Sequence, residues 1–443
     1  MERPDVHYAR STDGASIAYQ AFGAGRYDIV YVSGQVNHLD LMWDSPQQVE
    51  WLGRLATLGR VVTLDRRGQG LSDRFSPGEA PPAEVLVEDL GAVMDRAGVT
   101  RPVLFGTSTG AQLACLYAAS HPDHVRGLAT YAMWSHLSGS HLQDWQTYLE
   151  WTPSHFGSIE TALAEVRDIQ PSRAGDPDHL AWMALLLRSA WSPGSFRQMI
   201  EAQMALDIRD VLPTISVPTL AMYRPGETSI PTEDLRRSAA LIPGATIVEL
   251  PGTDHECSAE PITPIIDAVQ GFIASLDGGQ VRSARRLATV LFTDVVGATA
   301  RAAEIGDAAW RDLIAAHHAI VRRELARFSG TEVDTAGDGF FATFDGPARA
   351  VHCALSIGSR VRDLGLEIRA GVHTGEIEAV NGKVGGIAVH IGARIAALAT
   401  PSEVRVSSTV KDLTAGSGLV FEDAGEHELK GVPDHWRLYR VAH

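Results

Sequence analysis

Cysteine is scarce in this sequence: Cys115, Cys257 and Cys353 are the only three in 443 residues. They are far apart, odd in number and without the paired spacing of a zinc site. Neither a disulfide framework nor a thiolate metal centre is expected, and reduced thiols in a cytoplasmic protein are. Long apolar runs are also missing. No stretch supplies the ~18 uninterrupted apolar residues of a membrane span, and the opening "MERPDVHYARSTDG" contains no apolar signal core. A basic surplus is absent as well. The formal net charge of -16 argues against a general nucleic-acid coat, because phosphate backbones are held by basic faces. A single nucleotide is not excluded, since a few local cations and a metal suffice for it.

What is present reads as globular. Apolar content is 45% and charged content 21%, ordinary for packed protein, and the length exceeds what one core usually serves, so two domains are expected. In the first, over 1–276, "DIVYVS", "RVVTLD", "RPVLFG", "VRGLATY" and "VPTLAMY" are β-rich and nearly continuous in apolar character. Strands covered on both faces by helices have that pattern, which predicts an α/β domain with a mostly parallel sheet. A Trp-rich, helical stretch at about 135–209 interrupts the rhythm and reads as a lid over the strand ends. "LDGGQVRSARR" is polar and aperiodic, giving a linker at 277–285, and a second domain follows over 286–443.

The first domain holds a serine in a telling place. "VLFGTSTGAQLACLYAA" sets Ser108 in a GxSxG pentapeptide, directly after a strand and before a helix. Gly106 and Gly110 suit a strained, close-packed turn that lifts the hydroxyl to the helix N-terminus. A tight-turn serine in an inert scaffold is the duller reading. After the strand "VPTLAMYR" comes Glu227, and after "ATIVEL" comes His255 in "PGTDHE". This order, serine then acid then histidine, resembles the α/β-hydrolase family. The resemblance implies Ser108 as nucleophile, His255 as base and Glu227 as orienting acid, with the backbone N–H of Thr109 and one near Gln35 as oxyanion hole. Asp207 and Asp210, before the strand, rival Glu227, while Asp65 in "DRRGQG" is expected to structure its loop. The pocket's small molecule is not identified by the sequence.

The second domain carries acids in pairs. "EVDTAGDGFFATF" places Asp334 and Asp338 around Gly337, and "TVLFTDVVGAT" places Asp294 at the end of an apolar run. If that run pairs with a hairpin around Gly337, Asp294 and Asp338 converge. Converging carboxylates repel unless a cation sits between them, and hard divalent ions suit oxygen ligands. Gly297, at a helix start, would free backbone N–H groups for phosphate oxygens.

"LFTDVVGAT", "VDTAGDGFFATF", "RAGVHTGEI" and "VGGIAVHIGARI", in this order, resemble the class III nucleotidyl cyclase catalytic domain, an α+β ferredoxin-like fold, over 286–443. The whole chain resembles bacterial hydrolase–cyclase fusions. The resemblance implies that Asp294 and Asp338 hold two Mg²⁺ or Mn²⁺ ions per active site. Arg394 matches the arginine that meets charge at the reacting phosphorus, and His390 stands where the family often has Asn. Each site is expected to be shared across a homodimer formed through this domain. Adenylyl cyclases usually carry Lys where this chain has Asp334 and Asp where it has Lys383, so the two charges are exchanged here. The expected reaction is ATP to cyclic AMP and pyrophosphate. GTP remains open, because Asp334 could accept from guanine and Lys383 donate to its carbonyl. A serine esterase with a degenerate, dimerising cyclase half is the alternative.

Overall fold

A computed structural model describes residues 1–76, 82–137, 139–276, 285–380 and 383–442. The chain divides into two compact units, Met1–Ser283 and Ala284–His443. Apart from the backbone of Arg285, the expected linker lies outside the described residues. Among the described residues no helix is long and apolar enough to cross a membrane.

The first unit is built on one sheet of β1 (His7–Arg10), β2 (Ser16–Phe22), β3 (Asp28–Val32), β4 (Arg60–Leu64), β5 (Val103–Thr107), β6 (Gly127–Tyr131), β7 (Thr219–Tyr223) and β8 (Thr246–Glu249). Their order is β1-β2-β4-β3-β5-β6-β7-β8. From β4 through β8 every pairing is parallel. All five residues of β5 are buried, as an apolar run covered on both faces requires. β1 and β2 join antiparallel at one edge. They are the two strands that the apolar-run pattern does not announce.

Between β6 and β7 the described residues are helical: Gly139–Trp151, Ile159–Ile169, Pro177–Ala190 and Pro193–Ala205. The sequence marks three of these starts. Ser158 accepts from the N–H of Thr161, Asp176 accepts from Asp178 and His179, and Ser192 with Ser195 forms a capping box. Such side chains satisfy backbone donors that a helix start leaves without partners.

The second unit has β9 (Arg285–Val295), β10 (Thr331–Ala336), β11 (Gly339–Phe344), β12 (Ile368–Val380), β13 (Lys383–Gly385), β14 (Val404–Ser407), β15 (Phe421–Glu428) and β16 (His435–Val441). The sheet order is β10-β11-β9-β12-β14-β16-β15, with β13 on β12. β12 and β14 run parallel, and the remaining pairings are antiparallel. Val321 and Leu325 from the helix Asp307–Arg327 join Val351, Ala354 and Ile357 from the helix Pro347–Val361 in the main core. The sequence from 300 to 328 reads as one helical stretch. In the structure it breaks at Gly306, whose φ of 81° ends one helix, Ala298–Ile305, before the next begins.

Strand β12 meets the helix Ile387–Leu398 at a close contact. A Cβ on Gly371 would stand 2.2 Å from the backbone nitrogen of Ala396. Gly371→Ala therefore pushes that helix off the sheet, and overpacking of this kind costs about 1–3 kcal/mol. The thermal transition of the second unit should fall by several degrees in this variant, measured by calorimetry. An unchanged transition would contradict the contact.

Candidate active sites

In the first unit, the chain turns sharply between β5 and the helix Thr109–Ser120, and Ser108 sits in the turn at φ 53°. Positive φ is costly for a residue with a side chain, so the turn survives only where packing enforces it. The packing here is tight. A Cβ on Gly106 would lie 2.5 Å from Cα of Ala111, and one on Gly110 would lie 2.2 Å from the carbonyl oxygen of Ser33.

Three sequence-predicted residues meet at this turn. Ser108 Oγ lies 2.9 Å from His255 Nε2, and His255 Nδ1 lies 2.6 Å from Glu227 Oε2. With Nδ1–H donating to the carboxylate, Nε2 is left to accept the serine hydroxyl proton. His255 is 7% exposed and the Glu227 side chain 1%. Burial, the largest single influence, pulls His255 down, yet the Glu227 carboxylate first, with Asp168 and Glu256, together outweigh it. The net result is a histidine held above its ordinary pKa. Asp207 does not occupy this place: its carboxylate is paired with Arg209 at 2.9 Å.

Gln35 and Thr109 are tied together by a residue that the sequence reading does not single out. Arg66 is buried, and its Nη2 donates to the carbonyls of Gly34 and Gln35 at 2.6 and 3.1 Å and to Thr109 Oγ1 at 3.0 Å. One guanidinium thus fixes the Gln35 loop against the helix start that supplies the Thr109 N–H. Burial lowers Arg66 to about 10, which leaves it cationic. Its signal was its place in "DRRGQG", beside Asp65. Asp65 is a loop organiser, accepting from Asn37 Nδ2 and from the N–H groups of Leu39 and Leu71. Above Ser108 and His255 lies a cavity of about 350 Å³ roofed by the helical insertion.

In the second unit, β11 pairs with β9 so that Phe340 faces Thr293. That register brings the turn at Gly337, where φ is 64°, to the end of β9. Asp338 reaches across it, and its Oδ2 accepts from the N–H of Val295, next to Asp294, at 3.1 Å. His318 Nε2 lies 3.0 Å from the carbonyl oxygen of Gly337 and steadies the turn from the neighbouring helix. The two carboxylates therefore stand at adjacent strand ends.

Arg369, opposite Asp294 on β12, was not read from the sequence. Its Nε and Nη2 donate to Asp294 Oδ2 at 3.0 and 2.6 Å. Asp294 Oδ1 and Asp338 Oδ1 accept no hydrogen bond among the described residues. Those residues hold no cluster of three or more His, Cys, Asp or Glu side chains arranged to hold a metal. Mg²⁺ at nucleotide sites typically takes one or two carboxylates and completes its shell with water and phosphate oxygens, so a two-carboxylate set fits such an ion.

The other expected residues are spread around this unit. Gly297, at φ 68°, caps the helix Ala298–Ile305. Asp334 is exposed on the edge strand β10 beside an irregularity in register, and its Oδ1 accepts from the N–H of Thr335. Lys383 pairs through its backbone with Val380, and its side chain lies outside the described residues. His390 and Arg394 lie on one exposed helix face, four residues apart. Arg394 Nε donates to the carbonyl of Lys430. Neither side chain contacts Asp294 or Asp338 within the chain, among the described residues.

Residues 55–170 match the family described as alpha/beta hydrolase fold, and residues 282–442 match the Adenylate and Guanylate cyclase catalytic domain. The chain is similar to "Putative adenylate cyclase 3" of Rhizobium meliloti (strain 1021), 31% identical over 158 residues that make up 33% of this chain and 27% of that protein. It is also similar to the Proline iminopeptidase of Neisseria gonorrhoeae, 36% identical over 69 residues, covering 16% of this chain and 22% of that protein. The matches thus span about a quarter of each relative's length. A solved hydrolase from Pseudomonas aeruginosa PA01 shares the fold of the first unit, with a TM-score of 0.52 and 24% identity over 62% of this chain and 99% of that one. The chain thus carries two family matches in tandem, the alpha/beta hydrolase fold over 55–170 followed by the Adenylate and Guanylate cyclase catalytic domain over 282–442.

Proposed function

We propose that the second unit is a metal-dependent purine nucleotide cyclase that converts ATP to cyclic AMP and pyrophosphate as a homodimer, and that the first unit is a small-molecule sensor or a serine hydrolase. The observation that carries this reading is the meeting of Asp294 and Asp338 at adjacent strand ends. Asp294 and Asp338 would hold Mg²⁺ or Mn²⁺, which when bound acidifies a ribose hydroxyl and offsets phosphate charge.

The chain's own residues have separate tasks. Free backbone N–H groups after Gly297 receive phosphate oxygens at the start of the helix Ala298–Ile305. Arg394 brings a planar cation to the α-phosphate, where charge grows as the 3′-oxygen attacks and pyrophosphate departs. His390, one helical turn away, donates a hydrogen bond to the ribose or phosphate. Arg394 and His390 make no contact with the acid pair in one chain, so a second copy is the natural donor of both, giving two composite sites about a two-fold axis. Three buried, unpaired thiols are in keeping with a reducing cytoplasm.

Base choice rests on Asp334 and Lys383. ATP is preferred because the similar Rhizobium protein is named an adenylate cyclase. GTP is the second reading, since a carboxylate at Asp334 accepts from the ring N–H and amine of guanine. The test is purified full chain with Mn²⁺ or Mg²⁺ and either ATP or GTP. Cyclic AMP is the expected product. Cyclic GMP formed about tenfold faster, a difference of 1.4 kcal/mol in barrier, would move the assignment to GTP. Absence of both products would overturn the cyclase reading.

A further inference from the structure

The cavity above Ser108 has an uneven charge. Asp144, Glu165, Asp168 and Glu256 line it together with His255, and among the described residues no Lys or Arg does. Glu165 and Asp168 sit three residues apart on the helix Ile159–Ile169 and so share a face. Glu165 is half-buried, with Oε1 accepting from the hydroxyl of Tyr148 while Oε2 has no partner among the described residues. Asp168 accepts from Ser229 through Oδ2 at 2.8 Å, and its Oδ1 is likewise without a partner among those residues. None of the four acids forms an ion pair with another described residue. Neighbouring carboxylates repel, and among the described lining residues only His255, which Asp168 and Glu256 help to hold above its ordinary pKa, offers them positive charge, so the wall still favours a cation.

The opposite character comes from rings. Trp134, Trp145, Tyr148 and Trp191 line the same space. Aromatic faces attract cations through their quadrupole, and they also welcome an apolar body. An inorganic ion would leave these rings unused, because it has no apolar body to set against them. A volume of about 350 Å³ matches a compact organic molecule.

We propose that this cavity takes a small organic ammonium ion, its charge set against Glu165 and Asp168 and its apolar body against Trp145 and Tyr148, beside the Ser108 hydroxyl. The inference rests on reading the first unit as a small-molecule site, and it names the ligand's class. It also accounts for the state of Glu165. Burial, countered by the Tyr148 hydrogen bond and aided by Asp168, pushes that carboxyl up to about 7, where an arriving cation can draw it into its charged form.

The test uses the full chain carrying Ser108→Ala, titrated in a calorimeter at about pH 8, above the point at which Glu165 ionises. Two probes of the same shape are compared: acetylcholine, and 3,3-dimethylbutyl acetate, which replaces the charged nitrogen by carbon. The charged ester should bind at least about tenfold more tightly. Adding Glu165→Gln and Asp168→Asn should abolish that preference and leave binding of the neutral ester unchanged, which also shows that the pocket still folds. Equal or weaker binding of the charged ester, a preference that survives in the triple variant, or no binding of either ester at millimolar concentration would overturn the proposal. Calorimetry reads binding without turnover. A failure of the hydrolase reading, seen as ester cleavage that ignores Ser108, is therefore separable from a failure of this one.

Discussion

Asp338→Asn should lower cyclic-nucleotide formation by about a thousandfold or more while leaving the fold intact. If Asp294 and Asp338 hold the metal, removing one of the two carboxylates forfeits several kcal/mol of charge stabilisation, and each 1.36 kcal/mol is worth about a factor of ten in rate. Asparagine keeps the side chain's shape, and its amide oxygen can still accept from the N–H of Val295, the contact that docks the turn onto β9. The thermal transition should thus stay within a degree or two of the parent, so that lost activity reports charge and not unfolding. Asp294→Asn is a poorer probe, because it also strips Arg369 of the carboxylate that it grips at 2.6 Å. Mixing is the sharper control. If Asp338 and Arg394 serve one site from different copies, Asp338→Asn and Arg394→Ala proteins, each inactive alone, should recover roughly a quarter of the parent rate when exchanged together, since half of the dimers then carry one intact site. Activity within tenfold of the parent for Asp338→Asn, or no recovery on mixing, would reject the metal role or the shared site respectively.

The legible parts of this molecule are those in which a backbone demand falls on adjacent residues. The serine turn shows itself because Gly106, Ser108 and Gly110 lie between a fully buried strand and a helix start, and the glycines are forced by contacts of 2.5 and 2.2 Å. The pairing of Asp294 with Asp338 follows from one hairpin and one strand, so sequence order nearly determines it. Arg66 is another matter. Its value comes from three acceptors contributed by two other segments, and nothing local announces their convergence. Arg369 stands opposite Asp294 only through the long β9–β12 register, which forms across 75 residues of chain. Glu165 and Asp168 look like ordinary charges on an amphipathic helix, and only the fold of the insertion shows that both line the cavity. The break at Gly306 was hidden for a simpler reason: a lone glycine in a helical pattern is often tolerated, and only its positive φ reveals a stop.

Glu227→Gln should separate the two enzymatic readings of the chain. If the first unit hydrolyses esters, this isosteric change should cut hydrolysis by about four orders of magnitude, because the amide no longer fixes the tautomer that leaves His255 Nε2 facing Ser108. Ser108→Ala should remove still more, about six orders, leaving only what the oxyanion hole supplies. Cyclic-nucleotide formation, proposed above for residues of the other unit, should be unaffected by either change. The pH profile adds a signed test. General-base attack needs neutral His255, and its net pKa is raised in the parent, so hydrolysis should climb with pH through an inflection above the ordinary histidine value. In Glu227→Gln the raising influence of the carboxylate is gone while the burial that lowers His255 remains. The residual activity should then show its inflection at lower pH than the parent. An inflection that stays put, with hydrolysis barely reduced, would mean that Glu227 does not orient the base, and that the contact at 2.6 Å serves the fold alone.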